Sequence, residues 1–155
     1  MPGSERRVDI ALTLEPPALS ADIRVIDGDL VADNGLITAA IASLLTDRRA
    51  TTDELARFET SDPRGYWGDS LADVPGDRWG SGLWLLGRAK QTQETLNLAR
   101  GYAQEALAFF VEDGVAEDVR IDASYPLRGL LALHIAITRA RGDVVRFDFV
   151  WDMAA

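Results

Sequence analysis

Between Val119 and Trp151 the chain alternates between two kinds of position, and that period of two leaves few folds open. Val119, Ile121 and Ala123 form one run. Leu131, Leu133, Ile135 and Ile137 alternate strictly with Leu130, Ala132, His134, Ala136 and Thr138. Val145, Phe147, Phe149 and Trp151 alternate with Arg146, Asp148 and Val150. Successive side chains of a strand point to opposite faces, so these runs predict an antiparallel meander of three strands with one strongly apolar face. Arg139-Ala140-Arg141-Gly142-Asp143 reads as the hairpin loop between the last two.

An apolar sheet face has to be covered, and a long amphipathic pattern stands just before it. Thr92 is placed to begin this helix, with Glu94 in its first turn where negative charge is favoured. Leu96, Ala99, Ala103, Ala106, Leu107 and Phe110 mark one face, which Leu98, Tyr102 and Phe109 widen. Asn97, Gly101, Gln104 and Ala108 form a small, polar opposite side. Glu112-Asp113-Gly114 ends the pattern, with Gly114 suited to the left-handed position after a helix.

The stretch before it, Asp62 to Gln91, is rich in turns and rings. Asp62-Pro63-Arg64-Gly65 is a turn signal, since Pro presets φ and Gly permits positive φ. Tyr66 and Trp67 stand beside Gly68. Trp79, Leu83, Trp84 and Leu86 recur at roughly helical spacing, which predicts a short helix from about Arg78 to Arg88, weakened by its glycines. A tight aromatic turn packed on the long helix is the expectation.

The first third opens with a small β unit. Val8, Ile10, Leu12 and Leu14 alternate with polar or small residues until Pro16-Pro17, and Asp27-Gly28-Asp29 is a hairpin signal between apolar pairs. Leu36, Ile37, Ala40, Ile41, Leu44 and Leu45 then predict a helix, capped by Asp33 or Asn34 and closed by Arg48 and Arg49 at its negative end. Residues 50–61 are polar and fit a turn of helix or a loop. The expected architecture is α+β: a small N-terminal β unit, two to three helices, and a C-terminal three-stranded antiparallel meander packed on the long helix. A single domain over 1–155 follows from the length, with residues 1–7 polar and loose.

Composition narrows the function. A net charge of −9, from 25 acidic and 16 basic residues, opposes nucleic-acid binding, which needs clustered Lys and Arg. The absence of Cys removes disulfides, thiol nucleophiles and thiolate metal sites. No run approaches 18 apolar residues, so no membrane-spanning helix is expected, and MPGSERRVDI lacks the apolar core of a signal peptide. Synthesis in the cytoplasm is the expectation.

Candidate chemistry is sparse. His134 is the single His, with Asp122 and Ser124 near it in sequence, but no G-x-S-x-G elbow accompanies them. A metal site built on one His plus carboxylates is weaker still. Glu105 and Glu112 share a helix, and Asp69, Asp73 and Asp77 share the aromatic stretch. Paired carboxylates can support glycoside hydrolysis, yet an acidic chain produces such pairs by chance. Gly80-Ser81-Gly82 lacks the remainder of a phosphate-binding loop. No catalytic residue, cofactor or metal is therefore assigned.

Two features suit protein contacts. Tyr66, Trp67, Trp79 and Trp84, with Arg64, Arg78 and Arg88 nearby, are either core packing or interface anchors. The strand Arg146, Phe147, Asp148, Phe149, Val150, Trp151 is either paired inside its sheet or an edge open to strand addition.

The motifs DRRA (47–50), DPRGYWGD (62–69), GDRWGSGLWLLGRAKQT (76–92) and RFDFVWD (146–152) resemble the Mu-like phage baseplate protein family. That family is related to the tail-lysozyme-like wedge protein of contractile-tailed phages. The resemblance spans roughly residues 22–152. It implies a non-enzymatic virion component of the tail baseplate, a wedge subunit in six copies around the tail hub. Its implied partners are other wedge proteins and the tail sheath protein, with no nucleic acid and no membrane. Sheath assembly would start by strand addition at 146–151, with Arg64 and Trp67 as further contacts. The alternative is a tail-associated peptidoglycan hydrolase using paired carboxylates. The wider family carries a Glu-Pro-Arg triplet before the meander. Here the matching place reads Glu117-Asp118-Val119-Arg120, without the Pro and with longer spacing, so Glu117 and Arg120 stand for its charge pair.

Overall fold

A computed structural model describes the backbone of short strands between 9 and 33, and the full residues 35–73, 75 and 78–153. The strands β1 (Asp9–Ile10), β2 (Leu12–Leu14), β3 (Ala21–Ile23), β4 (Val25–Ile26), β5 (Asp29–Leu30) and β6 (Ala32–Asp33) form three antiparallel pairs. β1 pairs with β6, β2 with β3 and β4 with β5, so the expected N-terminal β unit is present. The register Ile26↔Asp29 leaves two residues between β4 and β5, as the hairpin signal requires. Asp27-Gly28, Pro16-Pro17, Val8 and residues 1–7 themselves lie outside the described residues.

The C-terminal half is the predicted meander. β7 (Ala116–Ser124), β8 (Leu130–Arg139) and β9 (Val144–Asp152) pair antiparallel in the order β7-β8-β9. Leu131, Leu133, Ile135 and Ile137 are buried at 2% exposure or less, and Phe149 and Trp151 continue their face. Gly142 takes φ 96°, and its N–H bonds to Arg139 O at 2.8 Å while Arg139 N–H bonds to Asp143 O at 2.8 Å. The hairpin loop thus turns where the sequence placed it.

The long helix covers this face, though not in one piece. α3 spans Gln93–Leu107, and a separate turn, α4, spans Phe109–Glu112. Thr92 caps α3 as expected, its hydroxyl accepting from Thr95 N–H at 3.2 Å. Ala99, Tyr102, Ala103, Ala106, Leu107 and Phe110 are buried, and Gly114 takes the left-handed φ of 72°. The break at Ala108 lets Phe109 lie against Trp79, ring centroids 5.1 Å apart, while Phe110 stays in the core.

Two local expectations fail. α1 (Leu36–Leu45) starts after Gly35 at φ 79°, with no side-chain cap from that position. The predicted helix from Arg78 to Arg88 is only a 3-10 turn at Leu83–Leu86, because Gly80, at φ 106°, packs on the backbone of Thr46 and Arg48, and Gly82 packs on the side chains of Tyr102 and Arg48. In residues 50–61, α2 (Thr52–Arg57) forms under a capping box between Thr51 and Glu54.

The glycines offer a clean stability test. Gly101 sits exposed in mid-helix with nothing within 4 Å of an added Cβ, whereas a Cβ at Gly80 would stand 2.5 Å from Thr46 O. Gly101→Ala should raise unfolding free energy by about 0.5–1 kcal/mol, and Gly80→Ala should lower it, both read by urea denaturation.

Candidate assembly interface

Residues from three of the four motifs, DRRA, DPRGYWGD and GDRWGSGLWLLGRAKQT, meet around Arg48. This side chain was expected to complement the end of α1, but it turns inward and is 5% exposed. Its Nη1 donates to Glu54 Oε2 at 2.9 Å and to Arg49 O at 3.0 Å. Its Nη2 donates to Glu54 Oε1 at 2.8 Å and to Glu105 Oε2 at 3.2 Å, and the guanidinium lies 5.2 Å from the Tyr102 ring centroid. The fork therefore ties α1's end to both α2 and α3.

The backbone around Arg48 is tied as firmly. Its N–H bonds to Ser81 O at 3.1 Å, Ser81 N–H bonds to Thr46 O at 2.8 Å, and Ala50 N–H bonds to Pro63 O at 2.8 Å. Trp84 Nε1 donates to Arg48 O at 2.9 Å. Gly65 and Gly82 admit this approach: an added Cβ would stand 3.1 Å from Arg49 Cβ, or 3.0 Å from Arg48 Nη2 and 2.9 Å from the Tyr102 ring.

Burial of this cluster shows in its ionisation. The hydrogen bond from Arg48 holds the Glu54 carboxyl down to about 2, against the cost of burial. Burial, and then the Glu54 charge, push the Tyr102 hydroxyl up to about 12. A lowered folded-state value means stability that is present above pH 4.5 and lost as pH falls towards 2.

Arg64 and Trp67 leave this cluster towards the surface. Arg64, with φ 45°, pairs with Asp47 at 2.6 Å and Asp62 at 3.6 Å and lies 4.5 Å from the Trp84 ring centroid. Trp67, 73% exposed, follows Tyr66 on a 3-10 turn that ends at the equally exposed Leu71. The four rings thus divide: Trp79 and Trp84 pack inward, and Tyr66 and Trp67 face outward.

The last strand is an edge. β9 pairs only with β8 among the described residues. Arg139 N–H bonds to Asp143 O and Met153 N–H bonds to Gly129 O, in the same register as the strand pair. Bonded and non-bonded pairs alternate in an antiparallel ladder, so Val145, Phe147, Phe149 and Trp151 bond to β8. The backbone groups of Arg146, Asp148 and Val150 point away from it. The side chains of Phe149 and Trp151 are buried, at 1% and 5% exposure. They also line an open cleft of about 640 Å³, with Leu45, Phe58, Leu85 and Arg88.

The other candidates separate. Arg120 pairs with Asp118 at 2.9 Å, not with Glu117, which lies at a register shift of β7. Glu105 is engaged by Arg48. No group of His, Asp and Glu that could hold a metal occurs among the described residues, and no described helix is long and apolar enough to cross a membrane.

Ser124 Oγ does stand 3.0 Å from His134 Nε2, and His134 Nδ1 stands 2.8 Å from Asp148 Oδ1. Sequence proximity suggested Asp122, but the carboxylate bonded to the ring comes from β9. This relay lies on the exposed sheet face, across three strands, and is not among the lining residues of the 640 Å³ cleft.

A small α+β domain with an arginine-locked aromatic turn and an open sheet edge is the class these features define. Residues 36–144 match the family model described as Phage protein GP46. The chain is 41% identical over 121 residues to "Baseplate protein gp46" of Escherichia phage Mu, covering 78% of this chain and 81% of that protein. It is 40% identical over 120 residues to "Mu-like prophage FluMu protein gp46" of Haemophilus influenzae, covering 77% and 80%. The chain belongs to the Mu-like phage baseplate protein family.

Replacing Arg48 by Met should cost about 3 kcal/mol, because the half-buried Glu54 would lose the partner that favours its charge. In the unaltered protein, acid should remove about 3 kcal/mol between pH 5 and 2. Urea titrations across that range should show this slope in the unaltered protein and its loss in Arg48→Met.

Proposed function

We propose that the chain is a structural wedge subunit of a contractile tail baseplate that joins other wedge proteins and starts sheath assembly by strand addition at β9. Family membership and the name of the Mu relative support a baseplate structural component located in the virion tail, and synthesis in the host cytoplasm belongs to the same proposal. The observation that carries the finer reading is the open edge, whose outward backbone groups come from Arg146, Asp148 and Val150. An unpaired strand edge is a template for another strand. Arg64 and the exposed Trp67 supply a second contact surface towards wedge partners. Glu117 and Arg120, both exposed at the start of β7, supply a third. Six copies around the tail hub, with sheath protein on β9, complete this reading.

We read the chain as non-catalytic. Glu105 serves Arg48, and the Ser124–His134–Asp148 relay lies on the open sheet face. Zymography of the purified protein on cell-wall substrate should show no clearing. Clearing lost in Glu105→Gln would establish the hydrolase instead.

Val150→Pro tests the edge directly. Its N–H points outward, so the substitution removes no bond to β8 and should change stability by less than about 1 kcal/mol. Baseplates carrying it should assemble without sheath in electron micrographs, whereas full-length sheathed tails would refute strand addition. Trp67→Ala should leave thermal unfolding nearly unchanged and weaken co-purification with wedge proteins.

A further inference from the structure

We infer that β9 of the free chain pairs antiparallel with β9 of a second copy, in the register that sets Arg146 opposite Asp148 of the partner subunit. The inference rests on the open edge of β9 and not on the sheath reading, since it concerns the chain before any sheath strand arrives. The sheet has two edges, and they differ. β7 carries a register shift between Ala116 and Asp118 and lies under α3 and α4. Bulges and cover of this kind blunt an edge. β9 runs from Val144 to Asp152 in unbroken register with β8 and holds neither Pro nor Gly. A straight edge takes another strand unless something closes it.

The sequence of β9 is complementary to itself. Paired antiparallel about Phe147, the two copies set Val144 against Val150, Val145 against Phe149 and Arg146 against Asp148. The backbone agrees: the even-numbered residues, whose N–H and C=O groups point away from β8, then oppose one another and can bond across the new pair. Opposite residues of an antiparallel pair share a face. Arg146 therefore meets Asp148 on the outer face twice, once from each copy. On the inner face the two Phe147 rings meet at a non-bonded pair, where side chains approach most closely.

Charge selects this register. Arg146 is exposed, and no ion pair holds it among the described residues. Asp148 Oδ1 stands 2.8 Å from His134 Nδ1, which leaves Oδ2 for a second donor. Sliding the copies by one pair in either direction sets Asp148 against Asp148 or Arg146 against Arg146, and like charges directly opposite are destabilising. A further slide leaves Asp148 against Val150 or Gly142. Exposed ion pairs add little energy, so the backbone ladder and the covering of Val144, Phe147 and Val150 hold the copies together while the charges align them. The pairing closes the edge that a sheath strand would later take.

Sedimentation velocity of the full chain at tens-of-micromolar concentration tests this. The unaltered protein should form a dimer. Asp148→Arg alone and Arg146→Asp alone should each weaken it at least about tenfold, with unaltered circular dichroism. An equimolar mixture of these two variants should recover a dimer, because each supplies the charges that the other lacks. The double variant Arg146→Asp/Asp148→Arg should recover it by itself. Val150→Pro removes an outward N–H and should weaken the dimer at least about tenfold.

A monomer at these concentrations would overturn the self-pairing and leave sheath addition, which is read from micrographs of assembled tails, standing. A dimer that survives Val150→Pro would put the contact elsewhere than β9 and overturn the inference. A dimer kept by either single charge variant, or restored by neither the mixture nor the double variant, would overturn the Arg146–Asp148 register.

Discussion

The buried Arg48 fork is the contact on which the rest of the structure depends. One guanidinium bridges Glu54 on α2 and Glu105 on α3, while its own backbone holds Ser81 and Trp84. A buried cation is tolerable only when paired and hydrogen-bonded, and here the residue's partners come from three separate stretches of chain. Exposure of the two partners differs: Glu54 is 15% exposed and Glu105 59%, so the Glu54 pairing carries most of the energy and Glu105 is largely screened. The exposed Arg57–Glu94 pair across α2 and α3 adds little by comparison.

This explains why the motif residues have the identities they do. DRRA supplies Arg48 and the carboxylate of Asp47 that holds Arg64. DPRG supplies Pro63 O for Ala50 and a Gly65 without a Cβ. WGSGLW supplies Gly80 and Gly82 for close approach, Ser81 for two backbone bonds and Trp84 for a third. Three glycine, ring and arginine motifs that look like a binding site in one dimension are a lock in three dimensions. What the lock leaves outside, Tyr66, Trp67 and Leu71, is exposed because the turn's interior is already filled.

Legibility followed the range of the forces. The meander was readable because a period of two is local and every residue of a face votes for it, as Leu131 to Ile137 do. Thr92 and Gly114 were readable as α3's capping residue and the left-handed turn after α4 for the same reason. The break at Ala108 was not, since it answers to Trp79 packing on Phe109, a contact thirty residues away in sequence. Arg48 was misread because an arginine after a helix has a good local use, and only the fold reveals a better distant one. The relay partner of His134 was missed likewise: Asp122 faces the ring from β7, but the bonded carboxylate is Asp148 of β9. On the surface, edge status was left open by the alternation of residues 145–151, because a central and an edge strand can carry the same pattern.

β9 also shows how one strand can serve stability and contact without conflict. Its odd-numbered residues give both their side chains to the core and their backbone groups to β8; its even-numbered residues present backbone groups to the open edge and side chains to the outer face. The two sets share a chain but no hydrogen bond. The helical cover is unequal too, since α3 and α4 lie over β7, and the β9 side is roofed by the Leu83–Leu86 turn and the loop after α2. A short turn and a loop fill less space than a helix, which is why a cleft remains there and not over β7. The Arg48 lock fixes both of those segments, Leu83–Leu86 through Ser81 and Trp84, and the loop through Glu54 and Pro63. The shape of the cleft beside β9 is thus set by the pairing of the buried Arg48 with Glu54.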